Sequence, residues 1–327
     1  MKTILVSDIH LGHQKNDDIW LNQAKRLFDN IIDTCHKMDI DCICILGDFF
    51  NDRKSIGVKT INTALDIADK LYENNIEVYM IVGNHDAFYK NSLEINGLKI
   101  FKRYENIHII EDNEIIENIG MVSWEQTPPK YTDFLFGHFE INGFNTSKNT
   151  VYENAKQNII DFADYKYVYS GHFHIPSTKN NITYLGTPYA LTFNDANYTH
   201  GYFIFDNGKL DFIEFDDIKY RYISSEDIFT INPNSIKGNI IKLIYEKDYG
   251  LVENNRILEQ VQAMEPLRIH TDFTKISKVL DIQDTLDENT DLKDNKEILF
   301  EYIGLSQLPE NITTKQLKDA INILLED

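Results

Sequence analysis

Five short polar motifs, each set directly after an apolar run, constrain this chain more than any other feature. They are Asp8-Ile9-His10, Gly47-Asp48, Gly83-Asn84-His85-Asp86, Gly137-His138 and Gly171-His172-Phe173-His174. The runs before them, such as Val78-Tyr79-Met80-Ile81-Val82, have the composition of strands buried on both faces. In an open α/β sheet, functional residues gather beyond the carboxyl ends of the strands. In four of the five motifs a glycine comes first, which lets the backbone turn hard and approach a shared centre. Singly, Asp8-x-His10 would be loop polarity, Gly47-Asp48 an ordinary turn and Gly171-His172-x-His174 a hydrogen-bonded strand end. Repeated in order after successive strands, they predict one site that holds five of the ten histidines.

The intervening segments fit that reading. Strand Lys2–Ser7 precedes an amphipathic helix from Asp17 to about Lys37, whose core stripe is Trp20, Ala24, Leu27, Ile31 and Cys35. Strand Ile40–Leu46, helix Val58–Tyr72 (with Ile61, Leu65, Ala68 and Tyr72 on one side) and strand Ile76–Val82 continue a parallel α/β unit, and Asn74-Asn75 suits the end of the second helix. A helix is expected from about Lys90. Strands follow at Ile107–Ile110, Glu114–Glu117, Gly120–Trp124 and Phe134–Phe136, then a helix at Tyr152–Phe162, then strands at Tyr167–Ser170, Ile182–Leu185, Tyr202–Phe205 and Leu210–Phe215. Asn207-Gly208 marks a hairpin between the last two. A sheet that begins parallel and later runs through hairpins predicts two packed mixed β-sheets flanked by helices, an α/β fold, rather than one doubly wound sheet.

From about Asp216 the texture changes. Asn239–Glu246, Glu253–Met264 and Leu267–His270 read as a small β-α-β unit, an α+β cap without clustered ligand residues. Asp281–Asp294 holds six acidic residues against one lysine, the composition of a solvated linker. Glu297–Ile303 and Thr314–Leu325 form a C-terminal helical pair, the second opened by the capping box Thr313-x-x-Gln316. The expected domains are 1–215, a cap at 216–280, an acidic linker at 281–296 and the helical pair at 297–327.

Composition narrows the class. No apolar run approaches the ~20 residues that span a bilayer, so no membrane partner is expected, and the first strand is too short for a signal peptide. Cys35, Cys42 and Cys44 suit small core hydrophobes in a reducing, cytoplasmic setting better than a disulfide framework. The net charge of −20 argues against a nucleic-acid partner, unless bound divalent cations supply local positive charge that the total hides. The motifs offer carboxylate, imidazole and amide without thiolate, a donor set that favours Mn²⁺ or Fe over structural zinc. Two metals ~3.5–4 Å apart need a bridging carboxylate and can clamp both oxygens of a phosphoryl displacement.

In this order, D-x-H, G-D, G-N-H-D, G-H and G-H-x-H, the motifs resemble the signature of the calcineurin-like metallophosphoesterases. Asp8-Ile9-His10-Leu11-Gly12 resembles the opening of the SbcD nucleases, the nuclease subunits of recombination and double-strand-break-repair complexes. Gly47 to Lys54, Gly137 to Phe144 and Tyr184-Leu185-Gly186-Thr187-Pro188 are most similar to the bacteriophage members. The resemblance is strong over the first ~215 residues, which would form the sandwich of a metallophosphoesterase domain, and weak beyond them.

The resemblance implies two divalent metals, Mn²⁺ first among them. Asp8, His10 and His174 would hold one, Asn84, His138 and His172 the other, with Asp48 between them. His85 would face the scissile phosphate, with Asp86 holding its other ring nitrogen. A metal-bound hydroxide would hydrolyse DNA as an endo- or exonuclease. Arg53, Lys54, Lys59 and Lys90 would be the DNA contacts, and the helical pair would dock on an SbcC-type coiled-coil ATPase. A homodimer and a cytoplasmic site, the host's if viral, are also implied. One departure is Asn51, where many cellular members have a histidine associated with exonuclease action. The alternatives are a phosphoesterase acting on nucleotides or phosphoproteins, and a non-catalytic scaffold, which should have lost ligand residues.

Overall fold

Alternation along the strands decides the layering. In strand Cys42–Ile45 the isoleucines Ile43 and Ile45 join one hydrophobic core while Cys42 and Cys44 join another, so both faces are buried. All three cysteines are buried and free, the core role expected of them. The computed structural model describes residues 2–130, 132–147 and 150–275, together with position 315. Apart from that position, the acidic stretch 281–296 and the segments Glu297–Ile303 and Thr314–Leu325 lie outside the described residues.

Two six-stranded sheets build the fold. In the first, Lys2–Val6, Cys42–Ile45, Glu77–Ile81 and Ile107–Ile110 run parallel, and the hairpin Gly201–Asp206/Lys209–Glu214 adds antiparallel to Lys2–Val6. In the second, Ile119–Val122, Phe134–His138, Tyr167–Gly171 and Ile182–Tyr184 run parallel, with Asn113–Ile116 and Ser177–Lys179 antiparallel at the edges. Leu5, Cys44, Leu46, Ile81 and Phe205 of the first layer pack against Met121, Phe134, Phe136, Tyr169 and Leu185 of the second. Each such large apolar side chain contributes ~1.5–3 kcal/mol on full burial. The parallel strands of each sheet end at a common edge, and there the five motifs emerge.

Helices cover the outer face of the first sheet. Asp17 caps the helix Asp18–Met38 by accepting the Ile19 N–H at 2.9 Å, and Asp39 ends it in left-handed geometry. The expected stripe of Trp20, Ala24, Leu27, Ile31 and Cys35 is buried. The helix Val58–Glu73 is rotated from its expected face: Ala64, Ile67, Ala68 and Leu71 are buried, Ile61 and Leu65 only partly, and Tyr72 is 52% exposed. Its apolar residues encircle more than one stripe, so spacing alone does not say which face meets the sheet.

Two expected helices are absent. After Asp86 the chain forms a hairpin, Ala87–Tyr89 with Ser92–Asn96, turning at Lys90 and Asn91, and then a 3₁₀ helix over Gly97–Arg103. The β-favouring Phe88, Tyr89 and Ile95 outweigh any helical pattern there. Tyr152–Phe162 is irregular apart from an isolated bridge at Gln157 and a 3₁₀ turn at Ile159–Phe162, closed by a capping box between Asn158 and Asp161. Beyond the sandwich, Tyr220–Ser224, Ile240–Ile244 and Arg268–Asp272 form a parallel sheet with the helix Leu251–Gln262 packed on it. Its first strand escaped the sequence reading. No helix among the described residues is long and apolar enough to cross a membrane.

Candidate metal centre

The loops leaving the first two parallel strands pair with each other. The N–H of Asp8 donates to Gly47 O (3.1 Å), that of His10 to Asp48 O (3.0 Å) and that of Leu11 to Phe49 O (2.8 Å). Asp8, His10 and Asp48 take positive φ, as does His172 across the cleft, a backbone state that non-glycine residues adopt at a cost and that clusters at functional sites. Gly171 lies where the two sheets meet, and a Cβ there would run into Ser7 Oγ, the Leu46 carbonyl and the His138 ring. Gly171→Ala is therefore expected to destabilise the protein by ~1–3 kcal/mol, the usual cost of overpacking, read as a lower urea midpoint.

Three groups of side chains then converge, each with its ligand atoms within 4.8 Å of one another: Asp8, His10 and His174; His10, Asp48 and His85; and Asp48, His138 and His172. His10 Nε2 lies 3.1 Å from His174 Nε2 and 3.8 Å from Asp48 Oδ2. His138 Nε2 lies 3.3 Å from Asp48 Oδ2 and 3.0 Å from Asn84 Oδ1, and His172 Nδ1 is 3.0 Å from that same oxygen. Asp48 thus sits between the two sets, buried. Asp8 is held by the Ser7 hydroxyl (2.5 Å) and the His172 N–H (3.1 Å).

Tautomers follow from the acceptors around the site. His138 Nδ1 faces the Leu46 carbonyl at 2.8 Å and must donate to it, which leaves a lone pair on Nε2 of the neutral ring. His172 Nε2 lies 3.5 Å from the Glu140 carboxylate, and a proton on that side of the ring leaves Nδ1 as the free lone pair. With both rings neutral, Asp48 Oδ2, Asn84 Oδ1, His138 Nε2 and His172 Nδ1 are four electron-pair donors turned toward one another. A proton on His138 Nε2 or a bound cation resolves that arrangement, so these residues fit a metal, with Glu140 as the outer carboxylate that would orient the His172 imidazole.

The electrostatics agree. Burial opposes ionisation of Asp48, but His138 and then His10 hold its carboxyl far below the usual range. Burial pulls His138 down, yet Asp48 outweighs it and the imidazole is held up to about 9, a measure of how strongly this spot attracts positive charge. Burial pushes His10 well below its ordinary value, and burial followed by His138 lowers His172 to about 3. Ionised Asp48 and neutral His10 and His172 are the states that metal ligation requires, and a cation would displace the proton that Asp48 otherwise holds on His138.

Asp86 departs from its expected role. His85 Nδ1 donates to the Asn51 carbonyl at 2.7 Å, not to Asp86. The turn from Gly83 aims Asp86 back into the core, where its carboxylate accepts the N–H groups of Phe50 (2.9 Å), Gly83 (3.0 Å) and Phe49 (3.3 Å). Burial, then Asp48, raises this carboxyl to about 7. Asp86 thus ties the Asp48 loop to the His85 loop, while His85 keeps its Nε2 uncommitted to Asn51. Its ring packs edge-on to His10, with centroids 4.8 Å apart.

Of the four basic candidates, Arg53 and Lys54 lie in the loop after Asn51, and Lys90 turns the hairpin after Asp86. Lys59 pairs with Asp18 at 2.9 Å. Beside His138 is a cleft of about 160 Å³ bordered by Trp124, Glu125, Gln126, Glu140, Lys156 and Gln157. Glu140 and the Asn51 carbonyl were not assigned from sequence. The i, i+2 spacing of Glu140 to His138 was a usable signal; a backbone carbonyl leaves none.

Residues 1–176 match the family described as calcineurin-like phosphoesterases. Exonuclease subunit 1 of Enterobacteria phage T4 is 28% identical, over 93% of this chain and 92% of that protein. The DNA double-strand break repair protein Mre11 of Nanoarchaeum equitans is 22% identical, over 98% of this chain and 92% of that protein. Among solved structures, the nuclease MPE of Pseudomonas putida aligns with 16% identity and a TM-score of 0.31, over 55% of this chain and 66% of that one.

Proposed function

Because the chain belongs to the calcineurin-like phosphoesterase family, and so to metal-dependent phosphoesterases, we propose that it is a DNA endo/exonuclease, the nuclease subunit of a recombination and double-strand-break-repair complex. The observation that carries this reading is the convergence of Asp8, His10, Asp48, Asn84, His138, His172 and His174 in a chain similar over nearly its whole length to a phage exonuclease subunit. Asp8, His10 and His174 would hold one divalent cation, Asn84, His138 and His172 the second, and Asp48 would serve both. The donor set favours Mn²⁺. When bound, such cations make water nucleophilic at neutral pH and neutralise charge building on a phosphate.

The chain's own groups do the rest. With Nδ1–H committed to Asn51, His85 can hold or deliver a proton only at Nε2, toward a phosphate oxygen or the departing 3′ oxygen. Glu140, 3.5 Å from His172 Nε2, would favour the tautomer that leaves Nδ1 free to ligate. Arg53, Lys54 and Lys90, with Lys59 if it leaves Asp18, would contact DNA phosphates. We further propose that residues 1–215 form the nuclease domain, that 216–280 form a DNA-contacting cap, and that the acidic stretch 281–296 tethers 297–327 to an SbcC-type ATPase. A homodimer acting in the cytoplasm completes the reading.

The test is cleavage of single- and double-stranded DNA with Mn²⁺, with and without an ATPase partner, alongside p-nitrophenyl phosphate and cyclic nucleotides. DNA cleavage abolished by EDTA is expected. Because the chain carries a net charge of −20, EDTA should also weaken DNA binding. Turnover of the small phosphates without DNA cleavage would favour a nucleotide or phosphoprotein enzyme.

A further inference from the structure

We propose that His13 is a positioning residue for His85, acting through Asn51 and anchored on the carbonyl to which the cap is also hydrogen-bonded. The proposal rests on the role given to His85 above. His85 Nδ1–H is held by the Asn51 carbonyl at 2.7 Å, so the direction in which Nε2 points depends on where Asn51 is kept. Asn51 follows the Asp48 loop; its N–H is bonded to the Leu11 carbonyl (3.0 Å), and its side-chain Oδ1 lies 3.3 Å from His13 Nδ1. On the other side of the ring, His13 Nε2 lies 3.0 Å from the carbonyl of Leu191. That oxygen can only accept, so the neutral His13 ring carries its proton on Nε2 and accepts at Nδ1. The Asn51 amide must then present N–H, the orientation reached by a half turn about its terminal torsion.

His13 is also fixed from the cap side. The Leu191 carbonyl accepts a second hydrogen bond, from the hydroxyl of Tyr220 at 2.7 Å, on the first strand of the cap sheet. His13 packs edge-on to Trp20, with centroids 5.6 Å apart, and the Arg268 guanidinium from the last cap strand lies 5.2 Å over that indole. Arg268 is tied to Asp17, the cap of the same helix, at 2.5 Å. One half-buried imidazole therefore joins the loop that sets His85 to the surface on which the cap rests. A shift of cap or loop that moved Asn51 by a fraction of an ångström would misdirect Nε2, and small misplacements of a catalytic group are costly.

The test uses the full chain with His13→Ala, His13→Asn and His13→Gln. Asparagine places a polar atom near the position of Nδ1 and glutamine near that of Nε2, so only the first can restore the contact to Asn51. Turnover is measured on DNA and on bis(p-nitrophenyl) phosphate, with metal content from the same preparations. His13→Ala is expected to lower kcat ~10-fold with KM and metal content unchanged. His13→Asn should recover most of that loss, and His13→Gln little of it. A second readout needs no turnover: in metal-free, ¹⁵N-histidine-labelled protein, the His85 Nδ1 proton should exchange slowly in the wild type and faster in His13→Ala. Failure to cleave DNA with this exchange pattern intact would count against the nuclease reading alone. An unchanged His85 proton in His13→Ala, equal rescue by glutamine and asparagine, or loss of metal in His13→Ala would each overturn the positioning role.

Discussion

Replacing Asp48 with alanine is expected to empty both metal positions and abolish phosphodiester cleavage. Asp48 Oδ2 faces His138 at 3.3 Å and His10 at 3.8 Å, so one carboxylate touches the ligands of both groups. Its other oxygen accepts the His85 N–H at 2.8 Å and so also fixes the loop that carries Asn84. Without it, buried imidazoles face one another with no anion between them, and cations bound there would lose the charge that compensates them. Metals stabilise transition-state charge by several kcal/mol, and at 1.36 kcal/mol per decade that loss is ~10³-fold or more in rate. Metal per chain after gel filtration, measured beside cleavage, checks it. A variant that cleaves at near wild-type rate would refute the two-metal reading.

His85→Ala should behave differently, and the contrast is informative. The contact of residue 85 with Asp48 runs through its backbone N–H, which alanine retains, and the oxygen that faces His138 and His172 belongs to the Asn84 side chain. Both metals should stay bound while the rate falls at least ~10²-fold, the scale of lost general acid–base assistance. Loss of a metal in this variant would make His85 a ligand instead. Mutating Asp86 should not reproduce this phenotype, because its carboxylate holds the backbone of Gly83, Phe49 and Phe50 rather than the imidazole.

Much of the architecture was legible because it follows from short-range patterns. The apolar runs before Asp8, Asp48, Asn84, His138 and His172 are all strands of the two sheets or lead directly out of them. The stripe from Trp20 to Cys35 is buried as its spacing requires. Where local patterns compete, the reading failed: exposed β-favouring residues made a hairpin at Lys90, and a capped 3₁₀ turn replaced the helix before Phe162.

By itself, then, the sequence determined which residue types would arrive at the strand ends, since periodicity and turn chemistry act over a few residues. Only the tertiary structure decided which lone pair meets which proton. Asn51 O reaches His85 across 34 positions, Asp86 reaches Phe50 across 36, and the Leu191 carbonyl reaches His13 across 178. Such partners are chosen by how two sheets and a cap pack together. A buried donor must find whichever acceptor that packing brings near, and a backbone carbonyl, present at every residue, leaves no mark in the sequence to announce itself.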